Sequence, residues 1–252
     1  MQTLEQSLNL PLPYSQAELH KKIKSLIDLT TLEGADTQEK VVALCQKARQ
    51  HQVAAVCVYP TFAKLVREQL TGTNIQTACV AGAFPAGQSP IHIKTAEVAY
   101  TVEQGAQEID MVISRGTFLE GDYATVGAEI KAIKAACGHA HLKVILETGE
   151  LQTPENIKLA SEIAIANGAD FIKTSTGKVA VNATPEAAFV MLHAIREHYE
   201  KTGKKIGFKP AGGVATPADA EIYVKLVYAI LGEEWITPEL FRIGASRLVD
   251  AL

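Results

Sequence analysis

Ala169-Asp170-Phe171-Ile172-Lys173-Thr174-Ser175-Thr176-Gly177-Lys178 reads as a short apolar strand that ends on a lysine, followed by a small-residue loop and a second lysine. A lysine flanked by Phe171 and Ile172 is poorly hydrated, and desolvation disfavours its ammonium form. An amine left neutral near pH 7 attacks carbonyls and forms Schiff bases. The other reading is a side chain that leaves the strand end and carries its charge to water. The surrounding chain has to decide between them.

Working outward, Pro154 opens a helix over Glu155 to Asn167, closed by Gly168. Thr184-Pro185-Glu186 starts another helix, to about Tyr199. Beyond it, Lys205 to Pro210 is a strand, Thr216-Pro217 opens a helix to Leu231, and Phe241 to Gly244 is the last strand before a short final helix. Toward the N-terminus the same alternation recurs. Strands are expected at Leu26 to Thr31, Val53 to Val58, Gln76 to Ala81, Glu108 to Ile113 and Leu142 to Glu147. Between them lie helical segments at Thr37 to His51, Phe62 to Leu70, Ile91 to Gln104 and Tyr123 to Cys137. Ser15 caps a helix over 15–25, and residues 1–14, with Pro11 and Pro13, read as an irregular arm placed to lie on a neighbouring subunit.

Strands separated by helices imply a parallel sheet. Eight such units in 252 residues fit a closed (β/α)8 barrel, the TIM-barrel architecture, better than an open doubly wound sheet. No GxGxxG follows a strand, so the dinucleotide fingerprint is absent. With no linker or low-complexity segment, residues 1–252 are expected to form one α/β barrel domain.

Composition narrows the partners. Net charge is -4 with no basic run, which argues against nucleic acid. No apolar stretch approaches the ~18 residues of a membrane span. The first 14 residues lack a secretory pattern. Cys45, Cys57, Cys79 and Cys137 form no CxxC and read as reduced thiols, so a cytoplasmic protein is expected. The arm and the exposed barrel helices allow a homodimer.

In such barrels the active site lies where strands end and βα loops begin. Asp28 closes the first strand, Asp110 sits within the fourth, Glu147 closes the fifth, Lys173 the sixth and Lys209 the seventh. Alternation puts Lys173 on one face with Phe171, and Lys209 with Gly207, whose missing side chain leaves room inside the barrel. Two ammonium groups on adjacent strands repel, which lowers the pKa of the less solvated one. The alternative is a structural ion network in which Asp28, Asp110 and Glu147 neutralise both lysines.

The loops after strands six to eight have a different character: Thr174-Ser175-Thr176-Gly177-Lys178, Ala211-Gly212-Gly213-Val214 and Gly244-Ala245-Ser246-Arg247. Glycines let backbone N–H groups approach an anion, and barrels of this kind hold phosphate in the last two loops. Lys178 or Arg247 supplies a countercharge. His139 and His141 have ligand-like spacing but precede strand five, on the opposite rim, and His20, His51, His92, His193 and His198 fall in helices or near their ends. No metal is expected from histidines, whereas Mg²⁺ held by carboxylates and phosphate stays open.

Phe171 to Lys178, Gly207-Phe208-Lys209-Pro210-Ala211-Gly212-Gly213, Asp28-Leu29-Thr30-Thr31-Leu32 and Lys178-Val179-Ala180-Val181-Asn182-Ala183-Thr184-Pro185-Glu186 resemble the motifs of the 2-deoxyribose-5-phosphate aldolase family. The resemblance runs from about Leu26 to Leu248. It implies a class I aldolase of deoxyribose breakdown that needs no cofactor and acts on small phosphosugar and aldehyde substrates. Lys173 matches the Schiff-base lysine, Lys209 the lysine that depresses its pKa, and Asp110 the aspartate that relays protons with Lys209 and water. Asp28, Thr30 and Thr176 match substrate-binding positions; Gly177, Lys178, Gly212, Gly213, Gly244 and Ser246 match phosphate-binding ones.

Two departures stand out. Ala215 and Arg247 occupy positions where relatives often carry Arg and Ser, so either phosphate binding is altered or Arg247 supplies the missing charge. The sequence stops at Leu252 without the tyrosine-ended tail of some relatives, from which a slower or water-borne enamine protonation is expected. Another phosphosugar barrel aldolase or lyase, and a non-catalytic phosphosugar-binding protein, remain as rival readings.

Overall fold

In a computed structural model of the chain, which describes residues 3–252, eight parallel strands form a barrel surrounded by helices. The strands are β1 Ile27–Thr30, β2 Ala55–Val58, β3 Gln76–Val80, β4 Glu108–Val112, β5 His141–Ile145, β6 Phe171–Lys173, β7 Gly207–Lys209 and β8 Ile243–Ala245. They neighbour one another in the order β7-β6-β5-β4-β3-β2-β1-β8. Parallel bridges from Phe208 to Phe241 and from Ala211 to Gly244 bring β7 to β8 and close the ring.

The sequence starts its helices with chemistry suited to the job. The helices Pro154–Ala166, Pro185–Thr202 and Pro217–Leu231 each follow a threonine whose hydroxyl accepts a backbone N–H of the first turn, with proline at the first helical position. The hydroxyl satisfies an orphan donor, and proline gives up only an N–H that has no intrahelical partner.

Two apolar layers result. The larger lies between strands and helices, built on residues such as Val56, Ile109, Val144, Ile172 and Phe208. A smaller one, Leu32, Ala55, Cys57, Ala78 and Val80, with Tyr59 and Phe84 against it, carries the opposite parity on β2 and β3 and fills that side of the barrel interior. The rest of the interior combines Phe171 with charged side chains.

The structure departs from expectation at the arm, beside Gly207 and at the start of the last strand. Within the arm, Leu4–Leu8 is a helix whose start is fixed by a capping box from Thr3 and Gln6. It packs against the helices Pro185–Thr202 and Pro217–Leu231 of its own chain, and Tyr14 donates to Glu233 at 2.9 Å. Residues 1 and 2 of that arm lie outside the described residues. The space beside Gly207 is filled by Phe171: a Cβ there would lie 2.3 Å from the ring. β8 begins at Ile243, because Phe241 makes only an isolated bridge. The short final helix is present as expected, as a 3-10 turn over Leu248–Ala251.

Candidate active site

β6 and β7 run in register so that Lys173 lies directly beside Lys209. Both side chains are buried, and both donate to the same Asp110 oxygen, Oδ2, at 2.7 Å. Lys209 also donates to Asp28 Oδ2 at 2.5 Å. Asp28 is the second residue of the four in β1 rather than its last, and it points into the barrel interior at this pair.

The cluster continues toward the opposite rim through three residues that the sequence reading did not single out. Lys143 donates to Glu108 at 2.5 Å and to Asp110 Oδ1 at 3.0 Å. Arg242 donates to Asp28 at 2.8 Å and to Glu108 at 2.7 Å. The signal was present. Glu108 and Asp110 are two apart on one strand, and Lys143 interrupts the apolar run Leu142 to Leu146, so period two sends all three to one face.

The charge count matters more than any single contact. Four cations, Lys143, Lys173, Lys209 and Arg242, face three carboxylates, Asp28, Glu108 and Asp110. One positive charge has no counterpart in a water-poor interior, where an uncompensated ion is costly. Among the described residues, Lys173 has Asp110 as its one carboxylate partner, and shares it. Lys209, Lys143 and Arg242 each meet at least two. Of the four cations, Lys173 is the one whose ammonium the carboxylates hold least.

The titration of each group follows. Burial lowers the Lys173 amine below the ordinary lysine range; Asp110 opposes the shift and Lys209 adds to it. For Lys209, burial is overcome by Asp110 and Asp28, which raise it above that range. Burial would lift the Asp110 carboxyl, but Lys143, Lys173 and Lys209 together hold it well below the carboxylate range. Cys57, inside the barrel, is pushed up by burial to about 11 and stays a thiol at neutral pH.

Beside Lys173 a cavity of about 250 Å³ opens at the C-terminal ends of the strands. Its walls carry Thr30, Thr176, Gly177, Lys178, Gly212, Gly213, Gly244, Ser246, Ala215 and Arg247, so the substrate- and phosphate-type positions other than Asp28 meet at one opening. Lys178 reaches across to Glu33 at 3.0 Å. Gly212 has φ of +82°, and a Cβ there would lie 2.6 Å from Asn182, so this loop must be glycine to interlock with the β6 loop. Arg247 is exposed on the cavity wall, where the sequence reading sought a replacement cation.

Glu147 departs from expectation. β5 pairs only as far as Ile145, and Glu147 turns off the barrel in the left-handed region with φ of 57°. Its carboxylate accepts from the Thr176 backbone at 3.1 Å, from the Thr176 hydroxyl at 2.5 Å and from Arg115 at 3.2 Å, and takes no part in the lysine cluster. His139 and His141 lie at the far rim with Glu108 and Arg242, as expected from their place before β5. Among the described residues, no group of three or more His, Cys, Asp or Glu side chains is arranged to hold a metal ion.

Residues 23–234 match the model of the DeoC/LacD family aldolases. The chain belongs to that aldolase family. A human deoxyribose-phosphate aldolase is 48% identical over 93% of this chain and 80% of its own length. One from Agrobacterium fabrum is 45% identical over 90% of this chain and 87% of its own. Among solved structures, the tetrameric deoxyribose phosphate aldolase of Aeropyrum pernix superposes with a TM-score of 0.74 at 25% identity, covering 94% of this chain and 97% of that one. A triosephosphate isomerase from Bartonella henselae, at 15% identity and a TM-score of 0.54, shares the barrel alone. Within the described residues of this aldolase no helix is long and apolar enough to cross a membrane.

Proposed function

We propose that this aldolase cleaves 2-deoxy-D-ribose 5-phosphate reversibly to D-glyceraldehyde 3-phosphate and acetaldehyde through a Schiff base on Lys173. The observation that carries the reading is the buried cluster with one cation too many, in which Lys173 has the fewest partners. Membership of the aldolase family and the names of the relatives support the substrate.

The chemistry runs as follows. The neutral Lys173 amine attacks C1 of the open-chain sugar, and loss of water gives a protonated imine. Asp110, with Lys209 and a water, takes the proton of the C3 hydroxyl. The C2–C3 electron pair moves toward the iminium as that bond breaks, and glyceraldehyde 3-phosphate, carrying C3 to C5, leaves. The remaining enamine is protonated at carbon, and hydrolysis of that imine releases acetaldehyde and regenerates Lys173. The imine is required because a carbanion left on an unactivated carbon is too basic. Thr30 and Thr176, on the cavity wall, contact substrate hydroxyls, and Asp28 acts from beneath by holding Lys209. The phosphate rests against Gly177, Lys178, Gly212, Gly213, Gly244 and Ser246, where glycine N–H groups and a cation suit an anion. Binding energy spent at the phosphate fixes C1 against Lys173. No cofactor takes part.

Borohydride reduction in the presence of acetaldehyde, followed by peptide mass mapping, tests the nucleophile. A two-carbon addition is expected on Lys173, and Lys173→Leu is expected to fold, to lose the adduct and to fall to background turnover. Adduct on another lysine, or turnover retained in that variant, contradicts the assignment. A binding protein without catalysis gives no adduct at all, and a Mg²⁺-dependent lyase stops on chelation whereas this reaction continues.

Four free, buried cysteines suit a reducing compartment such as the cytoplasm. Since the N-terminal helix packs on its own barrel, a homodimer rests on exposed helix faces such as that of Ile93 and Tyr100. Sedimentation velocity decides the assembly.

A further inference from the structure

Arg115 stands just after β4 and reaches two neighbouring segments. It donates to the carbonyls of Pro85 and Ala86, in the loop after β3, at 3.2 Å each. It pairs with Glu147 at 3.2 Å and with Glu150 at 2.8 Å, both after β5. Glu147 then holds Thr176, after β6, by both its backbone N–H and its hydroxyl. The same Thr176 hydroxyl accepts the backbone N–H of Lys178 at 3.1 Å, closing the turn that contains Gly177. Four consecutive βα loops are thus tied together, and the tie ends on the turn that forms one wall of the cavity beside Lys173.

Two further facts mark this as more than a rim salt bridge. Glu147 is fully buried, so its charge is kept for a partner rather than for solvent. It also sits in a left-handed conformation unfavourable to a side chain, which persists only where surroundings hold it. Burial raises its carboxyl above the usual range while the two Thr176 hydrogen bonds oppose that rise.

We infer that the Glu147–Arg115 pair is a positioning device for the phosphate end of the substrate: through Thr176 it sets the Gly177-Lys178 turn that receives a phosphomonoester, without itself touching the ligand. The inference rests on the reading above that this cavity takes the substrate phosphate.

The test compares 2-deoxyribose 5-phosphate with unphosphorylated 2-deoxyribose, and adds inorganic phosphate as an inhibitor of the second reaction. Glu147→Ala is expected to raise KM for the phosphorylated sugar and Ki for phosphate by about tenfold, the scale of one lost charge-assisted contact. The kcat/KM for the unphosphorylated sugar should fall by less, and only through the Thr176 contact with a substrate hydroxyl. Arg115→Met, at a partly exposed side chain, should shift the same constants in the same direction by about threefold, and it serves if Glu147→Ala does not fold. Glu147→Gln, which still accepts the Thr176 N–H, should lie between wild type and alanine.

Equal losses on both substrates in a folded variant, or unchanged KM and Ki, overturn the inference and leave the phosphate reading standing. A wild-type enzyme that neither prefers the phosphorylated sugar nor responds to phosphate removes the phosphate reading itself, and the inference with it.

Discussion

Lys173 and Lys209 are the same residue type, one strand apart, at the same level of the barrel, yet they titrate in opposite directions. The difference lies in partners. Lys209 is held by two carboxylates, and Lys173 borrows one of them. Lys209→Met would leave three cations against three carboxylates and would free the shared Asp110 oxygen for Lys173. The Lys173 amine should then titrate higher, because repulsion is removed and its counter-ion is no longer divided. The acid limb of borohydride trapping should therefore move to higher pH, together with a large loss of turnover. A limb that stays put would mean that burial alone sets the amine.

At the scale of elements, Phe171 and Gly207 are opposite each other across β6 and β7, and the ring takes the volume that glycine leaves. The ring also lies within 6.0 Å of the Arg242 guanidinium and 5.9 Å of the Lys143 ammonium, both near its face. Phe171 therefore supports the floor of the cluster as well as filling space. Gly207→Ala would put a methyl inside the ring's contact distance and push it toward those cations. Overpacking of this kind costs about 1–3 kcal/mol, to be read from the urea midpoint at unchanged slope. No change in midpoint would mean that the two strands can separate without penalty. Alternation identified the shared faces of Phe171 and Lys173 and of Gly207 and Lys209. It could not tell that a neighbouring strand's ring occupies the glycine's space, because period two says nothing about the depth at which adjacent strands meet.

At the scale of the molecule, folding places Asp28, Glu108 and Asp110 away from water together with their cations. The Asp28 and Asp110 carboxyls lie below their unfolded values once the lysines and Arg242 have outweighed burial. A carboxyl with a depressed folded pKa stabilises the fold fully above its unfolded pKa, about 3.9, and ceases to do so as pH falls toward the folded value. Thermal midpoints should owe nothing to these two groups' titration above about pH 5 and should fall steadily below about pH 4. Calorimetry from pH 2 to 6 measures this, and a midpoint level down to pH 2 would contradict it.

The sequence by itself determined the alternation of strands and helices, the closure into a barrel, the strand ends at Lys173 and Lys209, and the glycine-bearing loops that share their rim. These are local properties: periodicity, threonine–proline helix starts and glycine turns are written within a few residues of where they act. The tertiary structure decided the membership of the charged cluster, with Lys143, Glu108 and Arg242 included and Glu147 left out to hold Thr176. It also folded the N-terminal segment back on its own chain. The physical reason is that the charge balance around one amine is a sum over ions from six strands or their edges. Only the registers set by closing the barrel bring those ions within 4 Å of one another.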